Sequence, residues 1–267
     1  MHMISDLFHL LYKAASSALF GILLLLAFMV TAPIGSDAHW GLYRYDLLLI
    51  YALVIQSVLL LCKLESWKEA KVIAIFHVLA MIMEVFLTHP EIASWQYPEP
   101  VVFKIYTVPL FAGFMYSAVG SFFARALKIF QVKICALPPF SWMIILSVIS
   151  YLNFMTKFFI WDARYILFLS SILLFHKTQV YMTLKQRQIK IPMLVLLLIF
   201  ACVIWIAENI STFFNIWLYP SQLETWHMVS LWKLGSWYLL LLLSFVLVLK
   251  VLGHRQGNGD WTLNCKL

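Results

Sequence analysis

Apolar runs long enough to cross a lipid bilayer recur along this chain with only short polar breaks between them, and no other feature restricts its fold so strongly. A helix that rises 1.5 Å per residue needs about 20 mostly apolar residues to traverse the hydrocarbon core. Candidate spans lie near 14–32, 47–62, 71–88, 105–124, 139–157, 164–181, 192–214 and 228–250. With 63% hydrophobic residues, 12% charged ones and a mean hydropathy of +0.90, no water-soluble fold could hide the apolar surface. Backbone groups in lipid must be satisfied internally, so only helices or closed barrels can span, and runs without period-two alternation select helices.

The Lys and Arg residues sort by side once these spans are drawn. With the N-terminus in the cytoplasm, the inner segments hold 14 of the 19, and the outer segments hold Arg44, Lys104, Lys157, Arg164 and Lys233. The positive-inside rule then favours an even number of spans with both ends cytoplasmic. The basic residues form no continuous stripe, so the net charge of +7 reflects topology and implies no nucleic-acid partner. The expected fold class is all-α, a polytopic transmembrane helix bundle of about eight spans with N-terminus and C-terminus cytoplasmic. Residues 1–252 form one membrane domain and 253–267 a short flexible tail. The first run, preceded by Lys13 and followed by the small residues around Ala32 and Ala38, could instead be a signal sequence. No repeat of the inverted-transporter kind is visible.

Cys62, Cys135, Cys202 and Cys265 show no metal-binding spacing and are expected as free thiols. His39, His89 and His227 fall on the outer side with Asp37, Glu84 and Glu91, again without close ligand spacing, so no metal site is assigned. The chain has no zinc-protease, nucleotide-loop or nucleophile-elbow motif, and no cofactor is implied.

Function, if it is written anywhere, is written in the few polar groups inside the apolar runs. Glu84, Asn153, Glu208 with Asn209, and Lys233 each lie four to six residues from the outer end of a run, roughly 6 to 9 Å below the interface. Helical steps extend them into stripes that include His77, Lys157, Trp205 and Trp237. Charges facing lipid are costly, so these stripes should face the bundle interior, where Lys233 could pair with Glu84 or Glu208. The outer loops add His89, Trp95, Tyr97 and Tyr219, and eight of the eleven tryptophans fall on the outer half. Small residues on the fourth run, Gly113, Ser117 and Gly120, suit close helix packing.

The segments Ser94-Trp-Gln-Tyr-Pro-Glu-Pro100, Gly113-Phe-Met-Tyr-Ser-Ala-Val-Gly-Ser121, Asn153-Phe-Met-Thr-Lys157, Ala207-Glu-Asn-Ile-Ser-Thr-Phe213, Trp217-Leu-Tyr-Pro-Ser-Gln222 and Lys233-Leu-Gly-Ser-Trp237 carry a resemblance over roughly residues 75–250. In them the chain resembles the YoaT-like family of bacterial multi-pass membrane proteins, a domain of unknown function. The resemblance implies a membrane location and supplies neither substrate nor catalytic residues. Glu84 followed by Trp95 and Tyr97 is also loosely similar to membrane carotenoid-modifying enzymes.

The reading that follows is a plasma-membrane protein with an outward-facing polar and aromatic cavity that binds or transports a small or amphipathic molecule. Its expected ligand-binding residues are Glu84, His89, Trp95, Tyr97, Asn153, Lys157, Glu208, Asn209, Tyr219, Lys233 and Trp237. Its partners are the lipid bilayer and a possible small-molecule or lipid ligand. Two alternatives stay open: a membrane-embedded enzyme that modifies lipids or isoprenoids, with Glu84 or Glu208 as general acid, and a structural accessory subunit.

Overall fold

Each of the eight apolar runs contains one helix in the computed structural model, which describes residues 2–185, 187–255 and 261–262. The helices are α1 His2–Ser17, α2 Leu19–Val30, α3 Arg44–Leu61, α4 Trp67–Leu87, α5 Ala112–Ile129, α6 Phe140–Thr156, α7 Arg164–Phe175, α8 Met193–Phe213 and α9 Trp232–Leu252. By length and composition, α3, α4, α8 and α9 can cross a membrane, with a fifth span if α1 and α2 count as one broken helix. The supported count is therefore four to five, against the eight read from hydropathy. For α6, with 17 residues, and α7, with 12, the reason is length; α5 has 18 residues but is too polar, with Arg125, Lys128 and several glycines and serines.

Two hydropathy readings overrun their helices for a physical reason. The run near 105–124 begins too early, since β1 Lys104–Ile105 and β2 Val108–Pro109 form a tight antiparallel hairpin before α5. The run near 164–181 ends too late, because β4 Gln179–Leu184 pairs with β5 Arg187–Pro192. Along β4 burial alternates residue by residue, which is the strand period that the apolar content of Val180, Met182 and Leu184 conceals. With β3 Lys133–Cys135, β6 His254–Arg255 and β7 Trp261–Thr262 these strands make an antiparallel sheet in the order β5-β4-β3-β7-β6. The fold is thus mostly helical with a small sheet. Part of the expected flexible tail lies in β6 and β7, while Cys265 and the Gly257–Asp260 stretch lie outside the described residues. Cys62, Cys135 and Cys202 are free thiols.

The chain divides into two compact units. One gathers the segment up to Leu19, Gly120–Ile204 and the chain from Leu231 onward. Here α6 packs along α9 and α7, and Gly235 lets the Phe168 ring come within 2.6 Å of where a Cβ would stand. Ser171 and Tyr238 share a hydroxyl hydrogen bond of 2.9 Å between α7 and α9. The amphipathic α1 anchors on the sheet hairpin through Lys13 Nζ donating to the Thr183 carbonyl at 2.9 Å, and leaves Leu7, Phe8, Leu11 and Tyr12 exposed.

The other unit comprises Phe20–Val119 and Trp205–Ser230. Its core is aromatic, with Phe28, Tyr45 and Phe111 fully buried and Phe111 lying 5.0 Å from Tyr45 between ring centroids. Ser66 starts α4 with a reciprocal cap, accepting from the Glu69 N–H while the Glu69 carboxylate accepts from its own N–H. That cap sets where α4, the helix that carries Glu84, begins.

Candidate functional site: a carboxylate and aromatic layer

Two short loops carry the aromatic side chains to the carboxylates. The 88–105 loop follows α4 and the 214–231 loop follows α8, and both enter through the same backbone device. Ala93 and Asn215, each two residues before a tryptophan, take left-handed φ values of 44° and 56°. The next residue then turns its N–H back onto the helix end: Ser94 donates to the Leu87 carbonyl at 2.9 Å and Ile216 to the Ser211 carbonyl at 3.0 Å. Gln96 and Leu218 next form an isolated antiparallel bridge. Side chains alternate across extended backbone, so Trp95 and Tyr97 share one side, as do Trp217 and Tyr219.

Glu84 is buried at the centre of the first arrangement. Its carboxylate accepts from Trp95 Nε1 and from the Tyr97 hydroxyl, each at 2.8 Å, and from the Tyr116 hydroxyl on α5. All three donors are uncharged. Burial, together with the Glu84 charge, holds the Tyr97 phenol well above the usual tyrosine range, so it remains a donor at any physiological pH. Glu208, also buried, accepts from the Tyr219 hydroxyl, whose ionisation burial and Glu208 suppress in the same way. The Trp95 and Tyr219 rings meet edge to face with centroids 6.4 Å apart. Asn209 donates to the Trp205 carbonyl at 2.8 Å and accepts from the Val229 N–H at 2.9 Å, which fastens the end of its loop to α8.

Of the residues read from sequence, Glu84, Trp95, Tyr97, Glu208, Asn209 and Tyr219 thus belong to one unit. His89 belongs to it too but is exposed in the turn after α4, where its Nδ1 accepts weakly from the Glu91 N–H at 3.4 Å. Asn153, Lys157, Lys233 and Trp237 belong to the other unit. There Asn153 donates to Asp162 at 3.0 Å and accepts from the Ala163 N–H at 2.8 Å, and Lys157 lies over the Phe154 ring at 4.4 Å. No group of three metal-ligating side chains gathers among the described residues.

Sequence reasoning missed the supports of the layer. Arg44, almost wholly buried, pairs with Glu99 at 2.5 Å and also donates to Thr31 Oγ1 and to the Phe28 and Phe214 carbonyls. Asp46 accepts from the Tyr43, Val102 and Phe103 N–H groups and pins the far side of the same loop. The signal that could have found Arg44 is a repeated pattern. Arg44-Tyr45-x-Leu47, Glu84-x-x-x-Thr88, Trp95-x-Tyr97-Pro98, Gly113-x-x-Tyr116 and Lys128 recur in the same order as Arg164-Tyr165-x-Leu167, Glu208-x-x-x-Thr212, Trp217-x-Tyr219-Pro220, Gly235-x-x-Tyr238 and Lys250. The helices α2 to α5 therefore answer to α6 to α9 in the same direction along the chain, and the stretch from Glu84 to Trp95 is two residues longer than that from Glu208 to Trp217.

The comparisons with known proteins agree with the resemblance drawn from these motifs. A family model described as protein of unknown function (DUF817) matches residues 6–245. The uncharacterised protein YoaT of Bacillus subtilis (strain 168) is 36% identical over 248 residues, covering 93% of this chain and 92% of the relative. No solved structure matches.

Proposed function

The chain belongs to the YoaT-like DUF817 family, and within it we propose a multi-pass membrane protein whose outward-facing polar and aromatic layer binds or transports a small or amphipathic molecule. The topology we propose with it has eight spans and both ends in the cytoplasm of a cell membrane, on the strength of the charge split. The observation that carries the reading is Glu84. A carboxylate buried among apolar helices is expensive, and apolar residues of similar volume would hold helices together at less cost, so a group kept there with three neutral donors points to a ligand or an ion it serves.

A second reading has its own support. Indole and phenol rings around a carboxylate are suited to stabilising a developing carbocation beside a general acid, the chemistry of an enzyme acting on lipids or isoprenoids.

Lipid and metabolite profiles of a strain lacking the protein, complemented with wild type, Glu84→Gln or Glu208→Gln, separate these readings. Transport predicts that one compound changes sides unaltered, and the enzyme predicts that a substrate accumulates while its product disappears. In both cases the Glu84→Gln protein should be present in the membrane and fail to restore the profile. Full restoration by both variants would make the layer structural and the protein an accessory subunit. Reporter fusions in the 88–105 and 176–191 loops test the topology, and an inward 88–105 loop would overturn it.

A further inference from the structure

The polar groups of the other unit converge on a crevice at the end of α6, lined by Ser150, Asn153, Phe154, Lys157, Arg164 and Ser236. Steps of three and four set Ser150, Asn153 and Lys157 on one face of α6. The crevice offers about 10 Å³ to a water-sized probe, room for about one water molecule.

Its charge balance is positive. Asp162 is the nearby carboxylate, and its Oδ2 takes Arg164 Nε and the terminal Arg164 nitrogen, each at 2.7 Å, while its Oδ1 accepts from Asn153 and from the Arg164 N–H. Those contacts consume its acceptor capacity. Lys157 makes no ion pair among the described residues; its ammonium rests over Phe154 and Phe158, with Lys233 and Arg164 adding positive potential around it and Asp162 opposing them. Ser150, 1% exposed, has a buried hydroxyl with no hydrogen-bond partner. A buried donor in that state is costly unless something accepts from it.

Arg44, the counterpart of Arg164 in the repeat, is closed off by Glu99, and Arg164 is held by Asp162 two residues before it, so each arginine has a carboxylate and Lys157 is the cation lining the crevice that forms no ion pair among the described residues. Beside the crevice Phe158, Phe159, Ile160 and Trp161 are 47%, 64%, 63% and 70% exposed, an apolar fringe at the level of the charged groups.

We propose that this crevice is a binding site for the anionic headgroup of an amphiphile, phosphate or carboxylate, held by Lys157 and Arg164 with Ser150 as donor, while its apolar part lies along Phe158–Trp161. The inference rests on the membrane placement proposed above and on nothing in the Glu84 layer.

The test uses the full-length protein in detergent, titrated with phosphatidylglycerol, phosphatidylcholine or inorganic phosphate and followed by native mass spectrometry and thermal unfolding. Phosphatidylglycerol should bind and raise the melting temperature more than phosphatidylcholine does. Lys157→Gln should weaken that binding about tenfold or more, as loss of a charge-assisted contact does. Ser150→Ala should weaken it a few-fold without disturbing the ion pair, and keeps the test sound if Lys157→Gln folds poorly. Competition by inorganic phosphate at similar concentration would assign the site to a free anion of the same chemistry. Equal binding of both lipids, or unchanged phosphatidylglycerol binding in both folded variants, would overturn the proposal. Glu84→Gln should retain the binding, so failure here and failure of the Glu84 layer are read separately.

Discussion

Gln96 and Leu218 exchange both backbone hydrogen bonds, N–H to carbonyl at 2.9 Å in each direction, and so join the loop after α4 to the loop after α8. A pair that exchanges both bonds sits with Cα atoms about 5.5 Å apart, within the range a disulfide spans. With the native cysteines replaced by serine, Gln96→Cys combined with Leu218→Cys should therefore crosslink under mild oxidation. Mass spectrometry of the unreduced protein detects it, and a pair that stays reduced would mean that the loops are not bridged there.

Trp95 and Tyr97 each give Glu84 one hydrogen bond, and the carboxylate is buried too deeply for water to replace either. Trp95→Phe and Tyr97→Phe should each cost about 1 to 3 kcal/mol. Glu84→Leu strands three donors at once and should cost more than either. Thermal unfolding in detergent measures the order, and wild-type stability in both aromatic variants would dissolve the network.

The parts of this layer that sequence revealed are those that break an apolar run. Glu84 and Glu208 stand out because a carboxylate in a span has few structural excuses, and Trp95, Tyr97 and Tyr219 because they sit in short loops beside prolines. Tyr116 stayed hidden because a tyrosine inside an apolar helix reads as core. Arg44 and Glu99 stayed hidden because their contact joins positions 55 residues apart, and no local period reports that. The sheet was masked by composition, since Val180, Met182 and Leu184 continue the apolar run of α7. The repeat emerges only when the chain is aligned on its two glutamates, because the stretch from Glu84 to Trp95 is two residues longer than that from Glu208 to Trp217 and the helices between are too uniformly apolar to mark their register.

Arg44 and Glu99 make a deeply buried ion pair. Arg44→Met removes the guanidinium from four acceptors and leaves Glu99 without its cation, so it should cost on the order of 3 to 5 kcal/mol. Glu99→Gln keeps an oxygen for Arg44 and should cost only about 1 kcal/mol. Equal losses in the two variants would contradict this asymmetry.

The same pair gives a pH signature. Burial raises the Glu99 carboxyl above its ordinary value of 4.5, more than Arg44 lowers it. The folded state therefore holds that proton more tightly than the unfolded chain does. The resulting stabilisation is complete below 4.5 and is lost as pH rises through the folded value. Asp162 behaves oppositely: burial opposes its ionisation, but Asn153 and Arg164 outweigh it and lower the carboxyl below 3.8. Its stabilisation is present above 3.8 and is lost as pH falls through the folded value. Melting curves from acid to neutral pH should show Glu99→Gln gaining on wild type as pH rises through the Glu99 window. Asp162→Asn should draw level with wild type only below 3.8. A pH-independent difference in either comparison would remove that carboxylate as the cause.

Gly113 and His77 provide the sharpest packing test. A Cβ at Gly113 would lie 2.5 Å from the Nδ1 and Cε1 atoms of the His77 ring, closer than real Cβ contacts allow. The ring cannot swing away cheaply, because it packs against Phe114 with centroids 4.6 Å apart. Gly113→Ala should therefore cost about 1 to 3 kcal/mol through overpacking, although alanine is the better helix former by about 1 kcal/mol. His77→Ala alone opens a gap and removes a buried nitrogen that has no partner, so its own cost should be smaller. The double variant should be more stable than Gly113→Ala alone, since the added methyl then enters space the imidazole has left. Additive losses across the four proteins, read from melting in the same detergent, would show that the two side chains do not meet and that α4 and α5 pack differently from this structure.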